Sequence, residues 1–245
     1  MTAATAVRWF GHSGDLGDVI YALPTLKAAG GGILFLYHRD GKTWHGMTPE
    51  KAASLRSLLI LQPYVTDVVF CPEGRPPDAP DHDLNGFRDH WQPGRNLADM
   101  HLATHGFGSE LRESAWLAVD RPQHAADVII CRSGRYHSER FPWNRVFEAY
   151  ASRACFAGTE QEHQDFCESV GRISHVVTRD LLELARVIAG SRLFIGNQSC
   201  PAAIAEGLKH PMILEVYSPL ANCCFERPGR IDAWDGEGGF ELPVV

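Results

Sequence analysis

The chain has no apolar run approaching the ~20 residues that a membrane-crossing helix needs. Its first ten residues lack a basic segment followed by a long apolar core, so no secretory signal is expected. Cysteine is present but unpatterned. The seven cysteines are an odd count with irregular spacing; Cys223 and Cys224 are adjacent, and no Cys-x-x-Cys pair occurs. Neither a disulfide framework nor a zinc site is expected from them, and a reducing, cytoplasmic setting fits. Positive charge is in the minority. Twenty-three Lys and Arg stand against 30 Asp and Glu, for a net charge of -7. General attraction to nucleic acid or an anionic membrane is therefore not expected, although a local basic patch is compatible with it.

What is present is an alternation of strand-like and helix-like segments over 245 residues, with an ordinary apolar fraction of 44%. Residues 6–10, 33–37 and 65–71 read as strands. Residues 49–61 read as a helix, with Thr48 as its cap and Pro49 at the first helical position. Each unit runs to about thirty residues, as βαβ architecture requires. Between Pro72 and Pro93 the pattern dissolves into Pro, Gly and Asp, which marks a functional or mobile element. Helices are expected near 96–104 and 110–118. A second series follows residue 122, with strands at 127–131, 154–157, 193–195 and 212–216. Its helices are expected at 143–151, 160–170, 181–190 and 201–208. The two halves are alike in kind. The fold expected is therefore α/β, with two Rossmann-like lobes, 1–122 and 123–245, whose parallel sheets face a central cleft.

Three stretches carry the chemistry. The first is Gly11-His12-Ser13-Gly14-Asp15-Leu16-Gly17-Asp18, a glycine-rich turn between a strand and a helix. Gly14 and Gly17 let a ligand approach the backbone at a helix N-terminus. A turn built only to hold phosphate gains nothing from two carboxylates, so Asp15 and Asp18 point to a reacting centre or a hydroxyl-bearing ligand. Asp15 reads as the turn or capping residue. Asp18 reads either as a helix cap or as a catalytic base.

The second stretch is Arg132 to Trp143, where Arg132, Arg135 and Arg140 fall within nine residues after a strand. Arg135 and Arg140 are the candidates for direct phosphate contact, and His137 is either a phosphate contact or a surface residue. A hydrogen bond to a charged group is worth about 1.5–3 kcal/mol, and a helix end about 0.3–1 kcal/mol. The third stretch is Gly196-Asn197-Gln198-Ser199-Cys200-Pro201, again strand, polar turn and helix start. Ser199 is the expected cap and, with the amides of Asn197 and Gln198, a candidate donor contact. Glu206, further along that helix, reads either as a ribose ligand or as a solvated carboxylate. His101 and His105 sit i, i+4 apart without an obvious third ligand, so no metal site is read there. Trp44 and Trp91 read as core aromatics or sugar-stacking residues.

Together these stretches resemble the heptosyltransferase-like glycosyltransferases of family nine, which have a GT-B fold. Gly14 to Ile20 with Leu23-Pro24 is similar to that family's N-terminal loop and first helix. Arg140-Phe141-Pro142-Trp143 is similar to its Lys/Arg-x-Trp-Pro segment, and Ile195 to Pro201 to its Gly-Asn-Asp-Ser-Gly-Pro loop. The chain departs from the family pattern at Gln198, Cys200 and Ala203, where aspartate, glycine and histidine are common. The resemblance implies inverting transfer from a nucleotide-diphosphate sugar to an acceptor hydroxyl on a saccharide or other molecule. Asp18 would be the base, and the basic residue at Arg140 would meet the donor phosphates. No cofactor and no metal are called for, because arginines and helix ends take the electrostatic role. Two alternatives keep the same fold: a nucleotide-sugar binding protein without transfer, and a nucleotide-sugar hydrolase in which Asp18 or His12 activates water.

Overall fold

The computed structural model describes residues 7–38, 46–74, 76, 78–233 and 240–245. The chain divides into two compact units, each built on its own parallel sheet.

The first unit comprises the chain up to Trp91 together with Leu97–Trp116. Its elements are β1 (Arg8–His12), α1 (Leu16–Ala28), β2 (Gly32–Tyr37), α2 (Pro49–Leu59), β3 (Val65–Cys71), β4 (His82–Asp83) and α3 (Leu97–Thr104). The sheet order is β3-β2-β1-β4, all parallel. Thr48 caps α2 as expected, accepting a bond from the Lys51 N–H at 3.3 Å. Helix α1 is buried from Val19 to Leu26 and packs against α3, so it is apolar on nearly every side. After its C-cap, Ala29, come Gly30-Gly31-Gly32. At Gly31, φ is +79° and a Cβ would lie 2.2 Å from the Tyr64 carbonyl oxygen, so only glycine fits that return to the sheet.

Two expectations change here. The irregular stretch after Cys71 holds the two-residue strand β4, followed by a 3-10 helix over Leu84–His90. A strand this short, on a sheet edge, carries no hydrophobic period. The helix expected at 110–118 is only a 3-10 turn, Ser109–Arg112.

The second unit comprises Gln92–Asn96 and Leu117–Val245. Leu117 donates its N–H to Gly207 at 3.0 Å, and the Gln123 N–H bonds Arg186 at 2.9 Å. The segment before residue 123 therefore packs with the second unit rather than the first. Its elements are β5 (Val128–Cys131), α4 (Trp143–Tyr150), β6 (Ala154–Ala157), α5 (Glu160–Ser169), β7 (Ser174–Val176), α6 (Leu181–Ala189), β8 (Leu193–Asn197), α7 (Cys200–Gly207), β9 (Met212–Glu215) and β10 (Arg230–Ala233). The order is β10-β9-β8-β5-β6-β7, again all parallel. Strands β5, β6, β8 and β9 are buried at every residue, as a sheet covered on both faces demands. No helix of the described residues is long and apolar enough to cross a membrane.

In each sheet the strand order reverses at one point. It lies between β1 and β4 in the first unit and between β5 and β8 in the second. In open α/β sheets, ligands bind beyond the carboxyl ends of the strands at such a reversal.

Candidate functional site

In the first unit, the turn after β1 sits at the reversal point and is held from within. The Gly14 N–H donates to Nδ1 of the fully buried His12 at 2.8 Å. A Cβ at Gly14 would lie 2.4 Å from His12 Cε1 and 2.7 Å from Asp18 Oδ2, so glycine is required by close approach. Asp15 is the N-cap of α1 and accepts from the Leu16 N–H at 2.9 Å, while Lys51 Nζ lies 2.8 Å from its Oδ1. Asp18 closes a reciprocal capping box, its Oδ2 accepting from the Asp15 N–H at 3.3 Å. The same oxygen is 3.4 Å from Arg88 Nη2, and the Asp18 side chain remains 28% accessible. A cap and a solvent-facing acid are thus combined in one residue. Gly17 lies between Leu16 and Asp18 in the first turn.

The 3-10 helix after β4 completes this arrangement. Asn85 Oδ1 accepts from Ser13 N–H at 2.9 Å and from Ser13 Oγ at 2.7 Å. Asn85 Nδ2 donates to the Tyr37 hydroxyl at 2.7 Å. Arg88 lies over the Phe87 ring, 4.5 Å from its centroid. Neither Asn85, Arg88 nor Lys51 was singled out by the sequence. Only the general mark of an irregular stretch pointed near the first two.

Burial, with the Arg88 cation adding to it, lowers the His12 pKa to about 3. His12 is enclosed, and its Nδ1 lone pair is taken by the Gly14 N–H, so it presents no free lone pair to a water in the hydrolase alternative. His101 is fully buried beside it on α3, with ring centroids 5.4 Å apart. No third metal-binding side chain joins His101 and His105 among the described residues. Trp91 is exposed rather than packed in the core, and Trp44 lies outside the described residues.

In the second unit the loops after β5 and β8 meet at the reversal point. Asn197 is fully buried and binds the first loop on both sides of its amide. Its Oδ1 accepts from the Ser133 N–H at 3.0 Å, and its Nδ2 donates to the Ser133 carbonyl at 3.1 Å and to the Arg135 carbonyl. Gln198 ties the turn to the segment after β9. Its Nε2 donates to Leu220 O at 2.7 Å, and its Oε1 accepts from the Tyr217 N–H at 2.6 Å. The two amides expected to contact a donor directly are instead engaged in positioning loops. Ser199 is the N-cap residue of α7, but its hydroxyl donates back to Asn197 O at 3.1 Å and does not cap the helix.

The three arginines divide. Arg132 is committed inward, with Nε and Nη2 at 3.0 and 3.1 Å from the two oxygens of the fully buried Glu215. Glu215 also accepts from the Ser138 N–H at 2.8 Å and from Trp143 Nε1 at 3.1 Å. Sequence reasoning missed Glu215 because it ends an apolar strand with no motif around it. Arg135, His137 and Arg140 are exposed. Arg135 lies over the Tyr136 ring at 5.3 Å, Tyr136 adopts a left-handed φ of +57°, and His137 Nε2 donates to Ser133 O at 2.5 Å. The loop is thus pinned at its base by Arg132 and Asn197 and presents Arg135 and Arg140 outward.

Glu206 differs from both of its expected roles. It is fully buried, and its oxygens lie 2.6 Å from Lys209 Nζ, 2.9 Å from Arg227 Nε and 2.6 Å from Arg230 Nη1. Burial alone would raise its pKa, but Arg230, Lys209 and Arg227 outweigh that and hold it below the ordinary value. The carboxylate anchors α7 to β10 and the segment before it.

Two parallel sheets, each with a polar turn at its reversal point, define a Rossmann-type α/β protein. No family model and no curated protein sequence matches the chain. Solved structures do match its fold. A glycosyltransferase of family 9 from Veillonella parvula aligns with 91% of this chain and 84% of its own, at 14% identity and a TM-score of 0.58. Escherichia coli ADP-heptose LPS heptosyltransferase II aligns with 91% of this chain and 92% of its own, at 12% identity and a TM-score of 0.56. The iron-containing dodecameric glycosyltransferase TibC of enterotoxigenic E. coli aligns over 93% of this chain and 62% of its own, at 15% identity and a TM-score of 0.55. The chain has the fold of these glycosyltransferases, as the resemblance in its motifs implied.

Proposed function

We propose that the protein transfers a glycosyl group from a nucleotide-diphosphate sugar to an acceptor hydroxyl with inversion, using Asp18 as base and no metal at the reacting centre. The observation that carries this reading is the coincidence of motif and topology. The Asp18 turn and the Arg135–Arg140 loop each fall at the strand-order reversal of their own sheet, in a chain with the fold of glycosyltransferases.

In this reaction Asp18 takes the proton of the acceptor hydroxyl as its oxygen bonds to the anomeric carbon. The bond from that carbon to the phosphate oxygen breaks, and the nucleoside diphosphate leaves with the electron pair. Arg135 and Arg140 meet its charge, and the first turn of α7 adds its dipole. Arg88, paired with Asp18, orients the carboxylate. A positioned base contributes about 10²–10⁴ in rate; alignment of the reactants and stabilisation of the leaving group supply the rest.

The test is incubation of nucleotide sugars with a panel of saccharide acceptors and separation of the products. Transfer that Asp18→Asn slows about 10²–10⁴-fold while donor binding survives is the expected result. Tight donor binding with no transfer to any acceptor would favour a sequestering protein. Release of free sugar without an acceptor would favour a hydrolase.

A further inference from the structure

Among the described residues, one group of three or more metal-ligating side chains comes together, and it lies outside the sites above. Glu160, His163 and His175 place one ligand atom each within 4.8 Å of one another. We propose that these three residues bind a single divalent late first-row transition metal, of the zinc class, which ties α5 to the edge strand β7.

The local structure explains how they meet. Glu160 and His163 are three apart on α5, so one helix face carries both. His175 lies on β7, in register with Phe156 of the neighbouring β6. The two imidazoles stack at 4.4 Å with an interplanar angle of 16°, and both rings pack near Phe156.

Hydrogen bonding sets the tautomers. Nε2 of His163 lies 2.9 Å from the Ile173 carbonyl, and Nε2 of His175 lies 3.0 Å from the Gly158 carbonyl. A carbonyl only accepts, so each Nε2 carries a proton, and in the neutral ring that leaves Nδ1 as the ligating atom. Backbone carbonyls that orient a ligating imidazole in this way are the usual outer shell of a metal site. Nδ1 of His175 is 3.3 Å from Glu160 Oε2. Two such ligands on one tetrahedral ion stand about 3.3 Å apart, given bonds near 2.0–2.1 Å.

Two imidazoles and a carboxylate favour zinc and its neighbours over magnesium or calcium, which prefer oxygen alone. Glu160 is 69% exposed, so its side chain can swing to close the set, and water fills the remaining positions. The same geometry without a metal is an ion pair between Glu160 and a protonated His175, and this rival binds no zinc.

The experiment is calorimetric titration of the full chain, stripped with a chelator, with ZnCl2. It is repeated for Glu160→Gln, His163→Gln and His175→Gln, with melting temperature read with and without zinc. One equivalent should bind and raise the melting temperature. Each substitution should weaken binding at least about tenfold and remove the thermal shift. The exposed Glu160→Gln variant keeps the test valid if a histidine variant folds poorly. No saturable zinc binding, or binding that Glu160→Gln leaves unchanged, would overturn the proposal.

Discussion

Acidification from pH 7 to pH 5 should cost the first unit about 2 kcal/mol through His12 alone. The folded pKa is about 3, lowered by burial and then by Arg88, whereas an unfolded histidine titrates near 6.5. The unfolded chain therefore takes the proton first. Stability is full above pH 6.5 and is lost as pH falls from there toward 3. At pH 5 the unfolded side chain is about 30-fold more protonated than not, while the folded one is neutral. That ratio corresponds to about 2 kcal/mol of lost stability, against about 0.2 kcal/mol at pH 7. His101, whose pKa burial also lowers, adds to the same slope. The assay is urea unfolding of the wild type and His12→Asn at pH 7, 6 and 5. Asparagine keeps an acceptor for the Gly14 N–H but cannot titrate. The variant should lose about 2 kcal/mol less than the wild type between pH 7 and pH 5. Equal losses in the two proteins would refute the reasoning.

Further outcomes follow from the two turns and the buried pair. Asp18→Asn should lower turnover about 10²–10⁴-fold with donor affinity retained, checked by steady-state rates beside calorimetric donor binding. Arg135→Ala and Arg140→Ala should each weaken nucleoside-diphosphate binding by about 1.5–3 kcal/mol, and unchanged affinity in both would remove the loop from the donor site. Glu215→Gln should destabilise the second unit by about 3–5 kcal/mol, because it strands the Arg132 guanidinium beside Trp143; denaturant melts measure this. Gly14→Ala should displace the first turn, since its methyl group would overlap His12 and Asp18, and a chain with full stability and full donor turnover would contradict that crowding.

Much of the architecture was legible because covered parallel strands and amphipathic helices write their burial into local pattern. Val128–Cys131 and Ala154–Ala157 fall where their apolar runs stand, and Pro49 after Thr48 marks a helix start by cap chemistry alone. Strands β4, β7 and β10 were not legible. They are sheet edges, short or half-exposed, and their pairing comes from neighbours rather than from period. The Glu160–His163–His175 group was hidden for the same reason: one of its members lies on β7.

At the candidate sites the division falls between residue type and residue partner. The sequence alone determined that glycine and aspartate crowd the first helix start, and that arginines follow β5. Turn formation and charge are local properties. Only the tertiary structure decided that Arg132 belongs to Glu215, that Asn197 and Gln198 hold loops, and that Glu206 answers three cations. Each of these pairings joins residues brought together by strand order, and a buried charge or amide accepts whichever partner the fold delivers, because leaving it unpaired costs more than any local preference returns.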